Sequence, residues 1–140
     1  MQYKYQLSLD GTVAAYRLPY LLGGGSLVFK QESKYYEHFY NLLQPYNHYI
    51  PIKADLSDLT EKIQWARKHD DEAKTIAKNG QTFANNYLLP VNIYCYHVHL
   101  IKELSQRQTS PVTVLNDMEN VSEKEASINC KCDTILKDEL

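Results

Sequence analysis

Within this 140-residue chain, the stretch best suited to anion chemistry is Asp10-Gly11-Thr12-Val13-Ala14-Ala15-Tyr16-Arg17. It follows an alternating run, Tyr3 to Leu9, that reads as a strand. Asp10-Gly11 breaks that strand, and Thr12 is placed to cap a helix through Arg17 that closes near Pro19. Amides that open a helix are unpaired and sit at the positive end of its dipole, so phosphate collects there. Gly11 lets a ligand approach the backbone closely, and Ala14 and Ala15 leave room for it. The Arg17 guanidinium can grip a diphosphate with two prongs, a contact lysine cannot copy. In an α/β sheet, ligands also gather at the carboxyl ends of the strands, where this turn lies. The same spacing fits an ordinary strand–helix connection with a surface arginine, and it lacks the three-glycine dinucleotide fingerprint.

Other reactive side chains form no comparable group. Glu37 can bind ribose hydroxyls, although a surface helix position accounts for it equally well. His97 and His99 fall on different sides of a helix, which argues against a shared metal, and His38 and His48 are isolated. No metal site is expected. Cys95 reads as a small buried hydrophobe, and Cys130-Lys131-Cys132 as a structural disulfide or free thiols. Asn120-Val121-Ser122 is an N-glycosylation sequon. The mixed charges from Arg67 to Glu72 read as a solvated helix junction.

The elements that must position these residues follow a strand, turn, helix, turn, strand order. Gly23-Gly24-Gly25 turns into a second strand, Ser26-Leu27-Val28-Phe29, which completes a βαβ unit and implies a parallel sheet. Tyr35 to Leu43 reads as a helix. His48 to Ile52 reads as a strand whose Pro51 suits an edge. Asp55-Leu56-Ser57-Asp58 opens a helix, and apolar stripes then run over 56–66, 73–87 and 93–104 at helical spacing. The division expected is a lobe over residues 1–105 and a flexible, disordered tail over 106–140, where periodicity stops and polar residues dominate.

Lys+Arg is 15 and Asp+Glu is 17, a formal charge of −2, which argues against a broad nucleic-acid footprint. A 44% hydrophobic content supports a packed core. Tyr outnumbers Phe by 12 to 3, which suggests many half-buried rings with their hydroxyls at the surface. No run approaches the roughly 20 apolar residues of a membrane span. The final Lys137-Asp138-Glu139-Leu140 spells an endoplasmic reticulum retention address, yet Met1 to Tyr5 lacks a secretory layout. A C-terminal piece of a longer secretory-pathway protein reconciles the two; a chance match is the competing reading.

Five segments in order carry a family resemblance: Asp10 to Arg17, Gly25 to Lys30, Tyr36 to Tyr40, His48 to Lys53 and Asp55 to Leu59. Together they closely resemble the protein O-glucosyltransferases, the Rumi-like and KDEL-motif-containing luminal enzymes, over roughly residues 3 to 105. The resemblance implies a Rossmann-like α/β lobe, the C-terminal half of a GT-B glycosyltransferase, with a helical C-terminal end. It implies inverting, metal-independent transfer of glucose or xylose from UDP-glucose or UDP-xylose to Ser in EGF-like repeats of Notch-type proteins. The endoplasmic reticulum lumen is the implied location and the KDEL receptor an implied partner, with no cofactor besides the donor sugar nucleotide. Thr12, Val13, Ala14, Ala15, Tyr16 and Arg17 align with the family's UDP-sugar-binding run. The family's catalytic carboxylate lies upstream, so no residue here, Asp10 included, is assigned as the base. The alternative from another class is a non-catalytic lumenal binding or chaperone module.

Overall fold

The computed structural model describes residues 3–111, 113 and 115–118. Alternating side chains at the start of the chain form β1 (Tyr5–Ser8). Apolar runs bounded by turn residues form β2 (Leu27–Gln31) and β3 (Ile50–Ile52). The three strands make one parallel sheet in the order β1-β2-β3, with Ser8 opposite Lys30 and Lys30 opposite Pro51. Pro51 lies in an outer strand of this sheet, where a missing N–H costs no ladder bond.

The connection from β1 to β2 departs from expectation. Residues 11–13 are bends and 16–17 a turn; the helix, α1 (Leu18–Gly23), begins only after Arg17. Pro19 therefore opens a helix instead of closing one. Its ring fixes a helical φ, and the N–H it lacks would have been unpaired in a first turn. Beyond α1 the chain reverses at Gly25, whose φ of 72° is left-handed. The helix expected over Tyr35–Leu43 shrinks to one 3-10 turn, Tyr40–Leu42. Successive aromatic residues lose rotamer freedom in a helix, and the turn instead places Phe39 and Leu43 in the core.

The later stripes form α2 (Leu59–Lys68) and α3 (Asp70–Tyr87), but α2 starts later than the spacing predicts: Leu56 lies outside it with a left-handed φ of 61°. Two buried clusters enclose the central strand. Leu27 and Phe29 pack with Ile50, Ile52, Ala66, Ile76 and other residues. Val28, with the opposite orientation in the strand, packs with Leu18, Leu22, Phe39 and Phe83 among others. Gly80 lets α3 approach closely: a Cβ there would lie 2.5 Å from the His48 carbonyl oxygen.

The chain divides into two compact units, residues 1–89 and residue 90 onward. The second contains α4 (Pro90–Arg107). Cys95 within it is fully buried, as expected, but it is also disulfide-bonded, and its partner lies outside the described residues. Pairing is decided by proximity in space, which a lone cysteine in an apolar stripe cannot signal. Cys130, Cys132, Asn120 and Lys137, Asp138, Glu139 and Leu140 also lie outside the described residues. No helix among the described residues is long and apolar enough to cross a membrane.

Candidate functional site

The carboxyl ends of the strands converge on Gln31, the last residue of β2. Its side-chain oxygen accepts the Asp10 N–H at 2.9 Å, just past β1, and its amide nitrogen donates to the Ala54 carbonyl at 2.6 Å, just past β3. One side chain thus joins the loops that follow all three strands. An amide serves here because it offers both a donor and an acceptor.

The loop it holds is Gly11–Arg17. Without a helix start at Thr12, the dipole of a helix N-terminus is not available there. The Gly11 N–H instead donates across this bend to the Val13 carbonyl at 3.2 Å. The amides of Thr12, Val13, Ala14 and Ala15 meet no protein acceptor among the described residues. Thr12, Val13 and Tyr16 are exposed, whereas the Ala14 and Ala15 side chains are buried. The two alanines therefore anchor the loop, and small size at these positions serves packing. Arg17 is exposed, flanks the start of α1, and donates from its guanidinium to the Leu9 carbonyl at the end of β1. A guanidinium carries several N–H groups in a planar fork, so this bond orients it and leaves other donors outward.

A second group at this edge escapes sequence reasoning. Lys30 is half-buried, with Nζ 4.3 Å from the Tyr40 ring centroid and 5.8 Å from that of Tyr49. It also reaches the Gln31 carbonyl at 3.4 Å. Burial lowers the Lys30 ammonium below its usual range, opposed by the nearby Asp10 charge. Tyr40 is pushed up to about 12, chiefly by burial, then by the Glu37 and Asp10 carboxylates. Tyr49 is raised, first by burial and next by Tyr36. Glu37, expected on a helix surface, thus lies in irregular chain just before the 3-10 turn, within electrostatic reach of Tyr40. The one available signal in the sequence was the change from Leu27-Val28-Phe29 to polar Lys30-Gln31, since a strand that turns polar at its carboxyl end points to the ligand edge.

Of the isolated histidines, His48 accepts the Gln44 N–H at 3.0 Å through Nδ1 and lies against Phe83, and burial lowers its pKa. The His97 Nδ1 lies 2.7 Å from the Ile93 carbonyl of its own helix. No group of His, Cys, Asp and Glu able to hold a metal occurs among the described residues.

The edge therefore combines amides that meet no protein acceptor among the described residues, a guanidinium and an ammonium, a set that favours an anion with several oxygens. Residues 1–139 match the model of glycosyl transferase family 90. The chain is 54% identical over 132 residues to protein O-glucosyltransferase 2 of Danio rerio, covering 94% of this chain and 26% of that protein. Over 132 residues it is 52% identical to protein O-glucosyltransferase 3 of Homo sapiens, with the same two coverages. Against protein O-glucosyltransferase 1 of Homo sapiens it is 39% identical over 112 residues, 80% of this chain and 29% of that protein. The chain thus spans between a quarter and a third of the length of these relatives.

Proposed function

The chain belongs to glycosyl transferase family 90, and from that premise we propose that its carboxyl sheet edge is the donor-binding part of a protein O-glucosyltransferase or xylosyltransferase. The donor is UDP-glucose or UDP-xylose, and the acceptor a Ser hydroxyl in EGF-like repeats of Notch-type proteins. The names of the relatives, protein O-glucosyltransferases, support sugar transfer to protein. The observation that carries the reading is the Gly11–Arg17 loop. It places the exposed Thr12 and Val13, whose amides meet no protein acceptor among the described residues, beside an oriented Arg17 guanidinium at the end of a parallel strand.

The chemistry follows from that set. In an inverting transfer the Ser oxygen attacks the anomeric carbon, a base takes its proton, and the bond to the diphosphate breaks with the electron pair on the leaving oxygen. Fixed amides and a guanidinium stabilise that growing charge, the task a metal performs in other transferases, so the reading includes no metal. This chain supplies the hold on the departing nucleotide; the base belongs to a part of the enzyme outside this segment. The GT-B fold, the lumen of the endoplasmic reticulum and the KDEL receptor as partner belong to the same proposal. A disulfide at Cys95 suits an oxidising compartment, and Lys137-Asp138-Glu139-Leu140 supplies the address.

Calorimetric titration of UDP-glucose into the chain and into Arg17→Ala tests the proposal. Saturable binding by the parent, weakened by about 1.5–3 kcal/mol in Arg17→Ala, supports it. A folded parent with no saturable binding overturns it.

A further inference from the structure

We propose that Lys30 is a second cation of the donor site, its ammonium binding the diphosphate of the nucleotide sugar from the strand next to the Arg17 loop. The inference rests on the donor-binding reading given above and adds a residue to it.

Position comes first. Lys30 pairs with Ser8 across the sheet, and Leu9, whose carbonyl holds the Arg17 guanidinium, directly follows Ser8, just past β1. Two cationic groups therefore stand at the carboxyl ends of neighbouring strands, on the edge that Gln31 ties together. The surroundings of Lys30 come second. Its ammonium is held by the faces of Tyr40 and Tyr49 and a long contact to the Gln31 carbonyl. Among the described residues no carboxylate lies within 4.0 Å of it, and Asp10 acts only at longer range. Ring faces attract a cation without using its N–H donors, so the ammonium is oriented and still able to donate.

A half-buried ammonium carries a desolvation cost that a nearby carboxylate ordinarily offsets. Here that counter-charge is missing, and at the carboxyl edge of a sheet in a glycosyltransferase family a ligand diphosphate can supply it. Simple packing of the lysine stem between two rings is the competing account, and it makes a different prediction.

The test compares UDP-glucose, UDP and UMP binding to the parent, Lys30→Met and Lys30→Arg, with thermal melts verifying that each variant is folded. Methionine keeps the stem and removes the charge. The expected result is that Lys30→Met binds UDP and UDP-glucose about tenfold or more weakly, as for a lost charge-assisted bond. The preference for UDP over UMP should shrink, and Lys30→Arg should retain most of the parent's affinity. Parent-like UDP affinity in folded Lys30→Met overturns the assignment, as does an equal loss for UDP and UMP. A parent that binds none of the three overturns the donor reading and this one together; a binding parent with an indifferent Lys30→Met overturns this one alone.

Discussion

The two edges of the sheet contrast in what their lysines face. At the amino edge a cavity of about 510 Å³ lies beside Tyr3, Lys4, Ser26, Lys74 and Lys78. By lysine count it is the more obvious anion pocket. Two of its three lysines are already matched: Lys4 pairs with Asp70, and Lys74 reaches Asp70 at 3.0 Å and Asp71 at 3.2 Å, while the exposed Lys78 reaches only the Gln81 side-chain oxygen at 3.5 Å. These pairs raise both ammonium groups and lower the Asp70 carboxyl. At the carboxyl edge Arg17 is held by a carbonyl and Lys30 by two aromatic rings, neither of which cancels a positive charge. The contrast teaches that the number of cations does not mark an anion site. What marks it is positive charge that the fold orients and leaves without a counter-charge.

Both edges depend on the central strand, so the largest effect comes from loosening it. Phe29→Ala removes a fully buried ring and should lower the unfolding free energy by about 3–5 kcal/mol in urea denaturation. A loss below about 1 kcal/mol would mean that β2 is not the common support of the two edges. The edges themselves are separated by a paired comparison. Arg17→Ala should reduce UDP-glucose affinity by about 1.5–3 kcal/mol, whereas Lys74→Ala should leave it within about twofold, because Lys74 is a surface cation already paired. Equal losses in calorimetry would place the donor at the other edge.

A smaller effect sharpens the role of the latch. Gln31→Leu removes the bonds to the Asp10 amide and the Ala54 carbonyl and should cost about 1 kcal/mol. Hydrogen exchange should show faster exchange at the Asp10 amide while the β1–β2 ladder stays protected. Faster exchange throughout the sheet would make Gln31 a general core residue. The smallest effect is alkaline. Tyr40 is pushed up to about 12 from an ordinary 10.0. Its folded state thus retains a proton that the unfolded chain releases, so the resulting stability is complete below pH 10.0 and fades as pH rises through about 12. Tyr40→Phe should flatten the fall of the melting temperature across that interval. An unchanged slope would show that Tyr40 is not buried against the Lys30 edge as described.

How far the sequence could be read depended on the range of the forces involved. Period-two alternation marked β1, and helical stripes marked α2, α3 and α4, because side chains a few residues apart share a face whatever lies beyond them. The ordered segments from Asp10 to Leu59 were enough to suggest the family. Pro19 is ambiguous by residue type, since proline both opens and closes helices, and here it opens one. Tyr35–Leu43 is ambiguous likewise: the aromatic spacing admits a helix, but Phe39 and Leu43 reach the core from a short turn.

By itself, the sequence determined the strands, the long helices and an arginine near the end of the first strand. The tertiary structure alone decided that Gln31 ties loops 21 and 23 residues distant in sequence, and that Lys30 faces two tyrosines instead of a carboxylate. Those contacts cross between strands, and no local pattern of residue types encodes which loops will meet there.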